Sequence, residues 1–230
     1  MIAYFAKLIF KKYRPRIILV QEGGSDLARS CFFVLKQKFR VRLVHSAIEC
    51  AFLLNEEPRS FSDRARALFD GVRLLLFSYR DYPEIMIIDG VSDEREMPFR
   101  SENVYACVTV RGFNKRAERV FGTAFSIVNG DDTGYKDDYS LRNKVHVISY
   151  GITKKSVRVK GEEPRMFHKD GVSGLYMKLL CEGTATPLFI PNCSMNHAKI
   201  ALAGAALGIV FSLTPLEIAR GLEEFGSCFA

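Results

Sequence analysis

The strongest constraint on this chain is a rhythm of short apolar runs alternating with helical stretches. Arg16-Ile17-Ile18-Leu19-Val20, bounded by Gly23-Gly24, fits a buried parallel strand. A helix is expected over 26–38, a second strand over Val41 to Val44, and a helix over 62–79 with Ser62 as its cap. Further strands are expected over Glu84 to Asp89, Val104 to Val110, Ala124 to Asn129 and Lys144 to Tyr150. Such alternation predicts an α/β fold with a mostly parallel, doubly wound sheet. From about 153 the rhythm changes. Strands over 156–160, 174–181 and 186–190 follow one another without helices, which predicts a small antiparallel β subdomain, inserted or appended. Two helices close the chain. One runs over about 195–209; the other starts at Thr214-Pro215-Leu216-Glu217, a capping box with Pro in the first turn. The expected organisation is a single domain over 1–230, with a basic amphipathic helix over 1–15, a parallel part over 16–152, the antiparallel sheet over 153–191 and the closing helices over 192–230.

Charge is unevenly placed along that plan. The net charge is +7, yet residues 1–45 alone hold ten Lys/Arg against two acids, a net of +8. The remaining residues are nearly neutral, so a phosphate-rich or anionic partner would be met by the N-terminal segment. There Tyr4, Phe5, Phe10 and Tyr13 interleave with Lys7, Lys11 and Lys12. That pattern suits nucleic-acid stacking, docking on an anionic membrane, or a helix packed on its own domain. The apolar residues at the N-terminus precede the charges, opposite to a secretory signal. The longest apolar run, Ile200 to Leu213, has fourteen residues, fewer than the roughly 20 a spanning helix needs, and reads as a buried helix. Six Cys, none in a CxxC pair, fit neither a zinc site nor a disulfide scaffold; a reducing cytoplasm is the expected compartment.

Several segments together resemble the central, ATP-binding domain of the Mur ligase family, nearest to the branch that adds D-alanyl-D-alanine to a UDP-muramoyl peptide. They are Arg14-Pro15-Arg16-Ile17-Ile18-Leu19-Val20 with its Gly/Ser turn, Tyr82 to Asp89, Val128-Asn129-Gly130-Asp131-Asp132, Ile148-Ser149-Tyr150-Gly151, and Ile190-Pro191 followed by Ala201 to Ile209. The resemblance covers roughly the whole chain. It implies a P-loop-type fold, with ATP and Mg²⁺ as cofactors. It also implies a reaction in which a carboxylate is phosphorylated and an amine attacks the acyl phosphate. Family members carry three domains, and this chain has room for the central one only. A truncated, degenerate member is therefore expected, with another protein as the partner that would supply the other two.

The loop that should hold phosphate departs most from that pattern. A phosphate loop needs glycine amides, a Lys for the outer phosphates and a Ser/Thr for Mg²⁺. Aligned from Ile17, the loop is Gln21-Glu22-Gly23-Gly24-Ser25-Asp26-Leu27: Asp26 holds the Lys position, Leu27 the Ser/Thr position, and Glu22 and Ser25 two glycine positions. Each carboxylate facing a phosphate at about 4 Å costs on the order of 4 kcal/mol at an effective dielectric of 20. Ser25-Asp26 reads instead as a helix N-cap. The expectation is no bound ATP and no ligase activity.

By resemblance, the remaining site candidates follow. Asp89 stands for a metal-site Glu and as a catalytic candidate, with Asp93 nearby. Lys115 stands for a carbamylated Lys, although Asn114 precedes it and the family's His stretch is missing before Val128. Gly23, Gly24, Ser25, Asn129, Asp131, Asp132, Asn196 and His197 are the nucleotide candidates, and Glu49 the substrate candidate. Each also has an ordinary reading: Asp89 as a polar strand end, Lys115 as a solvated helix residue, Asn129 to Asp132 as a turn, and His197 as a polar helix start. Three functions stay open: a non-catalytic binding or scaffold domain, an active ATP-dependent acid–amino-acid ligase acting on a UDP-muramoyl peptide, and a basic surface binder.

Overall fold

A computed structural model describes residues 2–21, 24–44, 52, 60–77, 79–90, 104–110, 123–132, 145–181 and 183–229. The elements in chain order are α1 (Ile2–Tyr13), β1 (Arg16–Gln21), α2 (Gly24–Leu35), β2 (Val41–Val44), α3 (Phe61–Leu76), β3 (Ile85–Asp89), β4 (Val104–Thr109), β5 (Phe125–Asn129) and β6 (His146–Gly151). They continue with β7 (Val159–Lys169), β8 (Val172–Cys181), β9 (Thr184–Pro191), a 3₁₀ turn (Met195–His197), α4 (Ala198–Val210) and α5 (Pro215–Ser227).

Among the described residues nine strands form one sheet in the order β2-β3-β1-β4-β5-β6-β7-β8-β9. All pairs from β2 to β7 are parallel, and β7-β8 and β8-β9 are antiparallel. The mostly parallel, doubly wound sheet that the rhythm predicts is what forms. The antiparallel strands are not a separate sheet, however: β7 continues the main one by pairing with β6 at Tyr150–Val159 and Gly151–Lys160. β7 also runs to Lys169, well past the expected end at 160, because its outer half pairs with β8 while lying exposed.

Burial explains these elements. β1 is apolar on both sides because helices cover both faces of the sheet. One face carries α2, α4 and α5 over Ile18, Val20, Ile87 and Val108. The other carries α1 and α3 over Ile17, Leu19, Met86 and Ile88. The fourteen-residue apolar run lies in and just beyond α4, whose residues Ala201 to Leu207 are all buried. An apolar helix of that kind belongs in a core, and no described helix is long and apolar enough to cross a membrane.

Helix ends refine the expectations. The cap of α3 is Ser60, not Ser62: Ser60 Oγ accepts from Asp63 N at 3.1 Å and Asp63 Oδ2 accepts from Ser60 N at 3.0 Å. Asp63 fixes that register, because a capping box places its two members three residues apart. α2 spans 24–35 rather than 26–38, and Lys36–Lys38 form a turn. α3 ends at Leu76 rather than 79. The capping box of α5 forms as read, with Thr214 N donating to Glu217 Oε2 at 2.7 Å.

Candidate functional site

In an open α/β sheet, ligands are met at the carboxyl ends of the strands, near the point where the strand order reverses. Here that point is β1, whose neighbours are β3 on one side and β4 on the other. Gln21, Asp89, Thr109, Asn129 and Gly151 end β1, β3, β4, β5 and β6, five of the parallel strands. The sheet thus gathers most of the sequence-derived candidates along one rim. Glu22, Gly23, Glu49, Asp93 and Lys115 lie outside the described residues.

The loop after β1 turns directly into α2. Gly24 takes a left-handed backbone, φ +66, that favours glycine, and opens the helix. Ser25 and Asp26 therefore sit in the first turn rather than at the cap position. Asp26 is the acidic residue in the first turn of α2, at the positive end of the helix dipole. Its field reaches the turn after β9. Burial first, and the Asp26 charge second, push the Cys193 thiol up to about 12. Leu27, at the position the resemblance gives to a Mg²⁺-binding hydroxyl, is fully buried in the core cluster that α2 shares with α4 and α5. That position offers no oxygen to a metal.

The best-kept motif is held by internal bonds. Asn129 Nδ2 donates to the Val110 carbonyl at 3.1 Å, and Asn129 Oδ1 accepts from Asp131 N at 3.0 Å. The Asp131 carboxylate accepts from three successive backbone amides: Ile152 at 2.7 Å, Thr153 at 3.1 Å and Lys154 at 2.9 Å. Three amides converging on one oxygen pair form an anion nest, and this one is filled from within the chain. Partial burial opposes the charge of Asp131, but the bonds from Ile152, Lys154 and Thr153 outweigh it and hold the carboxyl below its ordinary value. Gly151 makes the approach possible, since a Cβ there would lie 2.6 Å from Asp131 Oδ1. Asp132 is half-buried beside this turn.

Tyr150, which the sequence offers only as part of the segment Ile148 to Gly151, completes the rim. Its buried hydroxyl donates to the Thr109 carbonyl at 2.7 Å, tying β6 to the end of β4. Burial, then the charges of Cys31 and Asp131, push that hydroxyl far above its ordinary range. The Tyr150→Phe variant is expected to lose about 1–2 kcal/mol, because a buried carbonyl loses this donor. A shift in urea midpoint at constant slope would measure it, and an unchanged midpoint would refute the tie.

Asp89 ends β3 half-buried, and its charge adds to burial in pushing the Cys31 thiol up to about 12. Burial alone pushes Cys107 up to about 12 as well. Neither thiol is a nucleophile at neutral pH. Asn196 is exposed in the 3₁₀ turn. His197 Nδ1 accepts from Ser194 N at 3.1 Å, and its ring lies 5.1 Å from that of Phe229 and 6.5 Å from that of Phe225. Among the described residues no three His, Cys, Asp or Glu converge as a metal site would require.

No protein-family model matches the chain, and no curated protein matches it in sequence. Solved structures do match in fold. MurF from Acinetobacter baumannii superposes with a TM-score of 0.63 at 13% identity, over 96% of this chain and 48% of that one. FPGS in complex with AMPPCP and folate gives 0.62 at 10% identity, over 97% and 66%. UDP-N-acetylmuramate-alanine ligase MurC from Thermotoga maritima gives 0.56 at 13%, over 96% and 47%. The chain spans about half the length of the Mur ligases it matches, and the sheet with its flanking helices has their α/β fold.

Proposed function

We propose that this chain is a Mur-ligase-like domain that no longer performs the ligase reaction and acts as a binding or scaffold partner in peptidoglycan-precursor synthesis. The observation that carries this reading is Leu27. A fully buried leucine occupies the place where the ligase pattern needs a hydroxyl on Mg²⁺. Asp26 adds a carboxylate where the pattern needs a Lys. One such carboxylate near a phosphate costs on the order of 4 kcal/mol at an effective dielectric of 20, roughly a thousandfold in affinity. Mg·ATP does not fit the residues present, so no catalytic step is assigned to Asp89 or Lys115. The partner proposed for such a domain is a protein that binds the peptidoglycan precursor, and the cytoplasm is the proposed compartment.

Isothermal titration with Mg·ATP is expected to give no heat of binding up to millimolar nucleotide. Micromolar affinity that Asp26→Ala leaves unchanged would overturn this reading. It would favour the other one the fold supports, an ATP-dependent acid–amino-acid ligase that uses a UDP-muramoyl peptide. ATP would then be held by Gly24, Ser25, Asn196 and the rim after β5 rather than by Leu27.

A further inference from the structure

The rim is not the only part of the molecule that asks for a partner. α1 and α3 lie side by side over β1 and β3, and their outward faces are unusually apolar for a surface. Along α3, Ala65, Phe69, Val72 and Leu76 are all exposed and fall on one stripe, with Phe69 and Leu76 each at 72%. Phe77 at 66% and Tyr79 extend that stripe beyond the helix, and Tyr4 at 64% stands on α1. Scattered exposed apolar residues need no explanation, whereas a contiguous patch does.

Cations frame the patch. Lys7 and Lys11 are exposed one turn apart on α1, which contains no acid. Arg66 and Arg73 are exposed on α3, two turns apart and beside the stripe. Of the two acids in α3, Asp63 is engaged in the cap with Ser60, and half-buried Asp70 lies farther round the helix. Not every N-terminal cation and aromatic is available. Lys12 Nζ donates to the carbonyls of Leu74, Leu75 and Phe77 at 2.8–2.9 Å, Phe10 is buried, and the ring of Tyr13 stacks on Tyr82 at 4.0 Å. These contacts lock α1 to the end of α3, so the two helices present one rigid surface.

We infer that the outward face of α1 and α3 docks peripherally on an anionic lipid bilayer. Aromatic and aliphatic side chains flanked by Lys and Arg enter the boundary between headgroups and acyl chains, while the cations meet lipid phosphates and carboxylates. Aliphatic Val72 and Leu76 require an apolar phase, which a nucleic-acid backbone lacks. A second copy would set this basic face against itself, since a two-fold interface pairs the same patch on both subunits. Docking here leaves the carboxyl rim of the sheet untouched and does not depend on how that rim is used.

Flotation of the full chain with vesicles tests it. Binding is expected to phosphatidylcholine vesicles containing phosphatidylserine, and not to phosphatidylcholine alone. It should weaken steeply with salt. Lys7→Glu with Lys11→Glu is expected to lower affinity at least roughly 30-fold, about fivefold for each cation removed from the surface. Phe69→Ser with Leu76→Ser is expected to abolish flotation while leaving the circular dichroism and melting temperature unchanged, because both side chains are exposed. No flotation with anionic vesicles, or equal flotation with neutral ones, overturns the assignment. So does an oligomer in solution that Phe69→Ser with Leu76→Ser dissociates, or tight binding to an acidic protein or nucleic acid without vesicle binding.

Discussion

Asp131→Ala is expected to lower stability at neutral pH by about 2–3 kcal/mol, or roughly 5–10 °C in Tm for a chain of this size. The carboxylate satisfies the amides of Ile152, Thr153 and Lys154 at once, and alanine leaves all three to water. Asp131→Asn should cost nearly as much, since it keeps one acceptor oxygen but turns an NH₂ donor toward the same amides. The effect carries a pH signature. The folded-state pKa is depressed, so the stabilisation is fully present above the unfolded value near 4 and is lost as pH falls through the folded value. Urea melts of wild type and variant should therefore differ at pH 7 and converge in acid, once pH has fallen through the depressed folded-state value. A difference that persists unchanged there would mean that packing, not charge, holds this turn. The nest also bears on function. A nest filled by its own carboxylate is closed to an external anion until that carboxylate is removed.

The sheet was legible because its strands are continuous apolar runs, and β1, β3 and β4 are buried on both faces. Elements that depend on local chemistry were legible as well, such as the box at Thr214 and Glu217. What escaped depends on residues distant in sequence. Nothing near Asn129-Gly130-Asp131 signals that its partners are Val110 and the amides of 152–154, so turn and ligand site could not be separated. α3 carries apolar residues around much of its circumference. Ala67, Gly71 and Leu74 are buried, Gly71 against Phe52 and Leu74 in the cluster that holds α1 and the sheet, while Phe69, Val72 and Leu76 are exposed; only tertiary packing decides between the two arcs. Leu27 shows the reverse case. Its substitution was visible in sequence, but its complete burial gives that substitution its force: the position belongs to the core rather than to the rim.

Gly221→Val is expected to be strongly damaging at the helix layer behind that rim. α5 crosses α2 at Gly221, where a Cβ would lie 2.6 Å from the Phe33 carbonyl oxygen and 2.6 Å from Val34 Cα. Both obstacles are backbone, so no rotamer change relieves them and the helices must separate. Overpacking commonly costs 1–3 kcal/mol. With two further methyls wedged between backbones, about 3–5 kcal/mol is expected here. The alanine variant provides the sharper sign test. In an exposed helix, Gly→Ala stabilises by roughly 0.5–1 kcal/mol, so a loss in Gly221→Ala isolates the crowding. Glu223→Val, on the exposed side of the same helix, should change stability by no more than about 0.5 kcal/mol. The damage should extend toward the site, because α2 carries Asp26 and Leu27 at its other end and buries Cys31 on the sheet. Displacing α2 should therefore make the Cys31 thiol react with a disulfide reagent under native conditions, as it should not in the wild type. If Gly221→Ala instead raises Tm and leaves that thiol protected, the two helices have room to move. The rim would then be free of the rigidity that α5 imposes on it.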